Sequence, residues 1–220
     1  QLLAQANEEG TMAPAEMFTL ASQLDSSGGG EVTQEAAVHW YAKAAEGGHV
    51  ESMVKMAKIY QEGRILPADS SYAAYWFNEA AKAGDPEAQF AIAVKYDTGD
   101  GVPQDAAEAA RWYQPAAEAG NIEAQFILGT MFENGEGLPQ NTEQAAAWYL
   151  QAAEAGNLHA QFNLATFYDQ GIGVEQNDIE ALKWYKQAAE QGVAEAQCNL
   201  GSMYRLGRGG ATDEATAVEW

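Results

Sequence analysis

Positive charge is what this 220-residue chain has least of: eleven Lys and Arg stand against 32 Asp and Glu, a formal net charge of −21. Charge of that sign repels phosphate backbones and anionic lipid surfaces, which argues against nucleic acid and membranes as partners. No apolar run approaches the roughly 20 residues that a membrane-inserted helix requires. Cys198 is the single cysteine, so an internal disulfide is excluded and the redox compartment stays open. His39, His49 and His159 have no second histidine four residues away, and nothing else suggests a metal site. A phosphate-cradling loop, a dinucleotide fingerprint and a nucleophile elbow are all missing. The expectation is a protein with no cofactor, no metal and no catalytic centre.

Two short matches to reactive motifs are weak. Ser52-Met53-Val54-Lys55 has the Ser-x-x-Lys spacing of penicillin-recognising enzymes, but two fixed positions arise often by chance and no Lys-Thr-Gly follows. Asp97-Thr98-Gly99-Asp100-Gly101 faintly suggests a calcium loop, yet Gly99 takes a ligand position, and Glu133-Asn134-Gly135-Glu136-Gly137 repeats the same turn.

Large side chains are plentiful. Hydrophobic residues make up 47% of the chain, with 10 Tyr, 7 Phe and 6 Trp, too apolar for disorder. Their spacing is regular. Trp40, Trp76, Trp112, Trp148, Trp184 and Trp220 are each 36 residues apart, and the first five precede Tyr41, Phe77, Tyr113, Tyr149 and Tyr185. Four residues past each of these five comes Ala-Ala, and then Gly48, Gly84, Gly120, Gly156 and Gly192. A fixed period of this length marks a repeat architecture.

Each unit reads as two helices. The first starts after Asp69, Asp105, Asn141 or Asn177, all good N-caps. Ala73, Trp76, Phe77, Ala80 and Ala81 then follow one helical face, where a strand would alternate. Gly84 suits the left-handed position that ends a helix, and Asp85-Pro86-Glu87 restarts one with a cap, a proline and an acid. The second helix carries Ala88, Ile92, Ala93 and Tyr96, and paired glycines such as Gly99 and Gly101 form the return loop. A buried Trp or Tyr contributes up to about 4–6 kcal/mol by area, so tryptophan is expected to fill the space between units. Trp112→Ala is expected to cost about 3–5 kcal/mol. Pro115, inside the Trp112 helix, predicts a kink or bulge.

The repeats are expected at 33–68, 69–104, 105–140, 141–176 and 177–212. Residues 1–32 form a degenerate repeat or cap, in which Met17, Leu20, Ala21 and Leu24 align with Met53, Met56, Ala57 and Tyr60, and residues 213–220 start a truncated one. Ser26 to Gly30 replaces the usual loop and is expected to be flexible. The chain opens on Gln1 without a basic-then-apolar leader and stops on Trp220 inside a first helix. These ends fit a processed chain or a piece of a longer array.

The string AQFILGTMFENGEGLPQNTEQAAAWYLQAAEAGN (124–157) resembles the Sel-one-like repeat, a relative of the tetratricopeptide repeat. The resemblance covers residues 31–220 in full and the first 30 weakly. Ile65 and Leu66 depart from its Gly-Val, and Gly209-Gly210-Ala211 blurs the last loop. It implies an all-α, right-handed superhelical solenoid acting as an adaptor, commonly in the bacterial envelope or periplasm, with the cytoplasm as the other compartment. It also implies a groove lined by the second helices: Glu87, Phe90, Val94 and Asp97; Glu123, Phe126, Thr130 and Glu133; His159, Phe162, Thr166 and Asp169.

Phenylalanines flanked by carboxylates suit a basic, partly apolar protein or peptide partner. From Trp112 to Leu182 there is no Lys or Arg, while ten acids occur, which steers a cationic partner. The plainer reading is an acidic surface that keeps the chain soluble. Two further readings stay open: an immunity protein that neutralises a secreted effector, and an envelope module that stacks aromatics on glycan. The oligomeric state is undetermined by the sequence.

Overall fold

The computed structural model describes residues 12–26, 30–210 and 213–219, all of whose regular structure is α-helical. Twelve helices follow in order among them: α1 Pro14–Ser26, α2 Glu31–Glu46, α3 Val50–Glu62, α4 Ser70–Lys82, α5 Pro86–Thr98, α6 Ala106–Glu118, α7 Ile122–Asn134, α8 Thr142–Glu154, α9 Leu158–Gln170, α10 Asp178–Glu190, α11 Ala194–Leu206 and α12 Glu214–Glu219. The chain divides into an N-terminal unit ending at Trp112 and a C-terminal unit beginning at Tyr113. In the first, each helix from α1 to α5 packs on the next; in the second the same holds from α7 to α12. This is an all-α solenoid of stacked helix pairs.

Local chemistry sets the joints. Asp69, Asn141 and Asn177 accept from the first-turn amides of α4, α8 and α10. At the end of α4, Asp85 N–H donates to the Ala80 carbonyl and Gly84 N–H to Ala81, with Gly84 at φ +93°. That double bond closes the helix through a left-handed residue. Asp85, Asn121 and Asn157 then cap α5, α7 and α9. A second constraint sits in the return loops, where a Cβ on Gly101 would lie 2.0 Å from the Ser70 carbonyl oxygen. Only glycine permits the loop to lie on the preceding helix terminus.

The core is made of small residues and a few large rings. Ala145, Ala146, Ala152, Ala153, Ala160 and Ala165 are buried in the C-terminal unit with Tyr149, Leu164, Phe167, Trp184 and Tyr185. Gly129 belongs to this arrangement, because a Cβ there would meet the Tyr149 ring at 2.5 Å. The expectation for tryptophan is corrected here. Trp40 and Trp184 are buried, but Trp76, Trp112 and Trp148 are only half-buried, whereas Phe77, Tyr113 and Tyr149 beside them are buried. On a helix, consecutive residues point about 100° apart, so the residue that follows the tryptophan takes the centre and the indole lies at its flank. Trp112 packs at the edge of the cluster around Phe77 and Ile92, so its removal is expected to cost less than the interior figure.

Other expectations meet the structure as follows. α1 turns Leu20, Ala21 and Leu24 inward. Ile65 and Leu66, which replace the usual loop pair, pack on the N-terminal core. α6 runs unbroken through Pro115, so no bulge interrupts it. Pro115 lies in its last turn, where Ala119 N–H still bonds the Pro115 carbonyl. Ser27, Gly28 and Gly29 of the expected flexible loop, and Trp220, lie outside the described residues.

Candidate functional site

Helices α5, α7 and α9 carry the twelve expected groove residues. Each starts at an Asx cap and ends at a left-handed glycine (Gly99, Gly135, Gly171). Glu87, Glu123 and His159 are exposed at the first turn, and the other nine are half-buried further along. Val94 and Thr130 hold equivalent places; Thr130 and Thr166 each turn their hydroxyl to the backbone carbonyl four residues back, on Phe126 and Phe162.

Several of these side chains already have a resident partner. The Tyr149 hydroxyl donates to Glu133 Oε2 at 2.5 Å and lies 3.2 Å from Thr130 Oγ1. Tyr185 Oη is 3.1 Å from Thr166 Oγ1. In the N-terminal unit Tyr41 reaches Ser22 Oγ at 3.3 Å and Asp25 Oδ2 at 3.4 Å. The same device thus joins residues 19 and 16 apart, the tyrosine coming from the helix that follows. Burial pushes the Tyr149 hydroxyl well above the ordinary tyrosine range, and the Glu133 carboxylate adds to it. Tyr185 and Tyr41 are raised by burial in the same way.

Charged partners complete the picture. Glu87 pairs with Lys58 at 2.6 Å, and Asp25 with Lys55 at 2.8 Å. Asp169 pairs with Arg208, whose guanidinium also grips Asp178. Both carboxylates hold Arg208 firmly protonated, Asp178 most strongly. Arg208 and the tyrosine hydroxyls escaped the sequence reading. The signal that was available is the fixed 19- and 16-residue offset from Tyr149 and Tyr185 to a Thr and an acid.

Between α9 and its neighbours lies a cleft of about 340 Å³. Glu133 reaches it from α7, Phe162, Asn163, Thr166 and Asp169 from α9, Tyr185 from α10 and Asn199 from α11. Phe162 stands 5.9 Å from Tyr185, ring to ring, and Phe126 5.8 Å from the His159 imidazole. An aromatic wall, two carboxylates and two amides form a place for a cationic or hydrogen-bonding side chain.

One arrangement looks catalytic on distance alone. Ser52 Oγ is 3.1 Å from His49 Nδ1, and His49 Nε2 is 3.2 Å from Glu51. Ser52 is wholly buried, however, and His49 Nδ1 also faces the Ser52 amide as the N-cap of α3. Lys55, the other half of the Ser-x-x-Lys pattern, is held by Asp25. A nucleophile without access is a cap, not an active site. Among the described residues no cluster of His, Cys, Asp and Glu has the makings of a metal site.

Six consecutive stretches, 20–49, 50–85, 86–121, 122–157, 158–193 and 194–220, match the Sel1 repeat. The chain belongs to the Sel1-repeat family. Its repeats are framed from the groove helix onward, so Sel1 units begin at α3, α5, α7, α9 and α11. A Sel1 repeat protein from Oxalobacter formigenes is 32% identical over the whole chain, with a TM-score of 0.80, and the match covers 63% of that protein. The structure of c5321, a protective antigen in uropathogenic Escherichia coli strains with an SLR fold, is 31% identical, with a TM-score of 0.77, over 99% of this chain and 46% of that one. The chain therefore spans less than two thirds of the length of these relatives. No curated protein matches it. Sel1 repeats generally mediate binding between proteins and typically serve as non-catalytic scaffolds. No described helix is long and apolar enough to cross a membrane.

Proposed function

We propose that this chain is a non-catalytic bacterial adaptor whose C-terminal unit docks a basic, partly apolar segment of another protein. The observation that carries the reading is the face of α7 and α9. Phe126 and Phe162 stand half-buried among Glu123, Glu133 and Asp169, on a stretch from Trp112 to Leu182 that contains no Lys or Arg. Half-buried rings offer apolar contact without a further folding cost, and the surrounding carboxylates attract cations during encounter. Both relatives named above come from bacteria, which supports the setting.

The test is selection from an unbiased array of short synthetic peptides, probed with the full chain. Bound peptides are expected to be rich in Lys or Arg beside Phe or Leu, and Phe126→Ala with Phe162→Ala should abolish the enrichment. Selection of acidic peptides, or enrichment that survives the double variant, would overturn the reading.

A further inference from the structure

We propose that the cleft on α9 receives the guanidinium of an arginine in the docked segment, and that Arg208 is a resident competitor for its carboxylate Asp169. This rests on the reading of the C-terminal unit as a dock for a basic segment, and names the side chain and the pocket.

The walls select against anions and for a planar cation. The Tyr149 hydroxyl is committed to Glu133, and that of Tyr185, in the cleft wall, lies against Thr166 Oγ1. A carboxylate has about four acceptor positions. Tyr149 uses one on Glu133, leaving the rest for a guest. Phe162 supplies a half-buried ring on which a guanidinium can stack, and the amides of Asn163 and Asn199 line the same cleft. Arginine exploits such a site better than lysine, because its five donors are fixed in a plane and its charge is weakly hydrated.

The chain itself displays the recognition. Arg208 binds Asp178 through two nitrogens, Nε to Oδ2 at 3.2 Å and Nη2 to Oδ1 at 2.5 Å, and shares Nη2 with Asp169. Asp169 lines the cleft, whereas Asp178 lies outside it at the start of α10. Arg208 therefore reaches the cleft wall from the loop side and neutralises one of its two carboxylates. The matching loop residues in the two preceding repeats are Glu136 and Ile172, which bring no cation. Freeing Asp169 should raise the affinity of an arginine guest.

Calorimetric titration of the full chain with three peptides, alike except for a central Arg, Lys or citrulline beside Phe, tests this. The Arg peptide is expected to bind about fivefold more tightly than the Lys peptide, with citrulline weakest. Arg208→Gln should tighten the Arg peptide about threefold, while Phe162→Leu weakens it and shrinks the Arg-to-Lys ratio. Circular dichroism melts check that each variant is folded; Asp169→Asn serves as a second variant if Phe162→Leu is not. Equal binding of Arg and Lys peptides overturns the guanidinium pocket while leaving the basic dock standing. No binding by any cationic peptide overturns both. An Arg208→Gln chain that is folded and binds no more tightly removes Arg208 as a competitor.

Discussion

In the N-terminal unit α3 carries Lys55 and Lys58, and Arg64 follows in its loop; all three line one cleft of about 270 Å³ with Asp25, Gln34 and Glu62. In the C-terminal unit α7 and α9 carry no cation, and their cleft is walled by carboxylates, amides and a phenylalanine. Beneath both clefts the helix packing is alike. Ala80 and Ala81 are buried in one unit as Ala152 and Ala153 are in the other. One hydroxyl varies as well. Tyr41 in the first unit and Tyr149 and Tyr185 in the second each face a Ser or Thr 19 residues earlier and, for Tyr41 and Tyr149, an acid 16 earlier; Phe77, the other such ring of the first unit, has Lys58 and Gln61 at those places. Where both the Ser or Thr and the acid are missing the ring carries no hydroxyl, as expected if a buried hydroxyl without a partner is costly. The helix packing is thus constant while the chemistry on the second helices changes from repeat to repeat.

The largest effect should come from the shared core. Tyr149→Ala is expected to cost about 3–5 kcal/mol in denaturant unfolding, and Phe77→Ala a similar amount, because each ring fills the centre of its repeat. Trp148→Ala, at a half-buried flank, should cost less than Tyr149→Ala; the reverse order would restore tryptophan as the centre. Removing only the hydroxyl is the next step down. Tyr149→Phe should cost about 1 kcal/mol at neutral pH, since Glu133 and Thr130 lose a partner. The mirror change Phe77→Tyr should bring no gain, and a gain would break the comparison.

The tyrosines also predict an alkaline limit. Folding raises the titration of Tyr149, Tyr185 and Tyr41, so the stability tied to their neutral form is complete below about pH 10 and is lost as pH climbs through the raised values. Tyr149→Phe should flatten that alkaline decline, measured by melting temperature against pH. The smallest effect concerns Lys95, which is buried at a position held by Met131, Phe167 and Met203 in the C-terminal unit. Its ammonium escapes to Asp100 at 2.7 Å and holds that carboxyl below its ordinary range. Lys95→Met is expected to be neutral or to stabilise by about 1 kcal/mol, since a buried lysine whose partner Asp100 is exposed gains little over an apolar side chain.

The repeat, its caps and its helix order were legible because each rests on residues close in sequence. Asp85, Pro86 and Gly84 act within a turn, and the 36-residue step makes every copy corroborate the others. The groove was legible only as positions. That Glu133 and Thr130 are taken by Tyr149, or Asp169 by Arg208 from 39 residues away, depends on how successive repeats abut, and on one helix these residues look like open surface. The tryptophan misreading has a related cause. Trp is followed by Tyr or Phe in each of the first five copies, and periodicity alone does not say which of two neighbouring bulky residues faces the centre.

The affinity of an arginine-containing basic peptide for the full chain, measured as salt is raised, tests the central claim most directly. A negatively charged dock loses affinity steadily as screening shortens from about 10 Å at 0.1 M salt to about 3 Å at 1 M, and Phe162→Ala binds more weakly throughout. Affinity that holds constant across that range, or rises with salt, would contradict it.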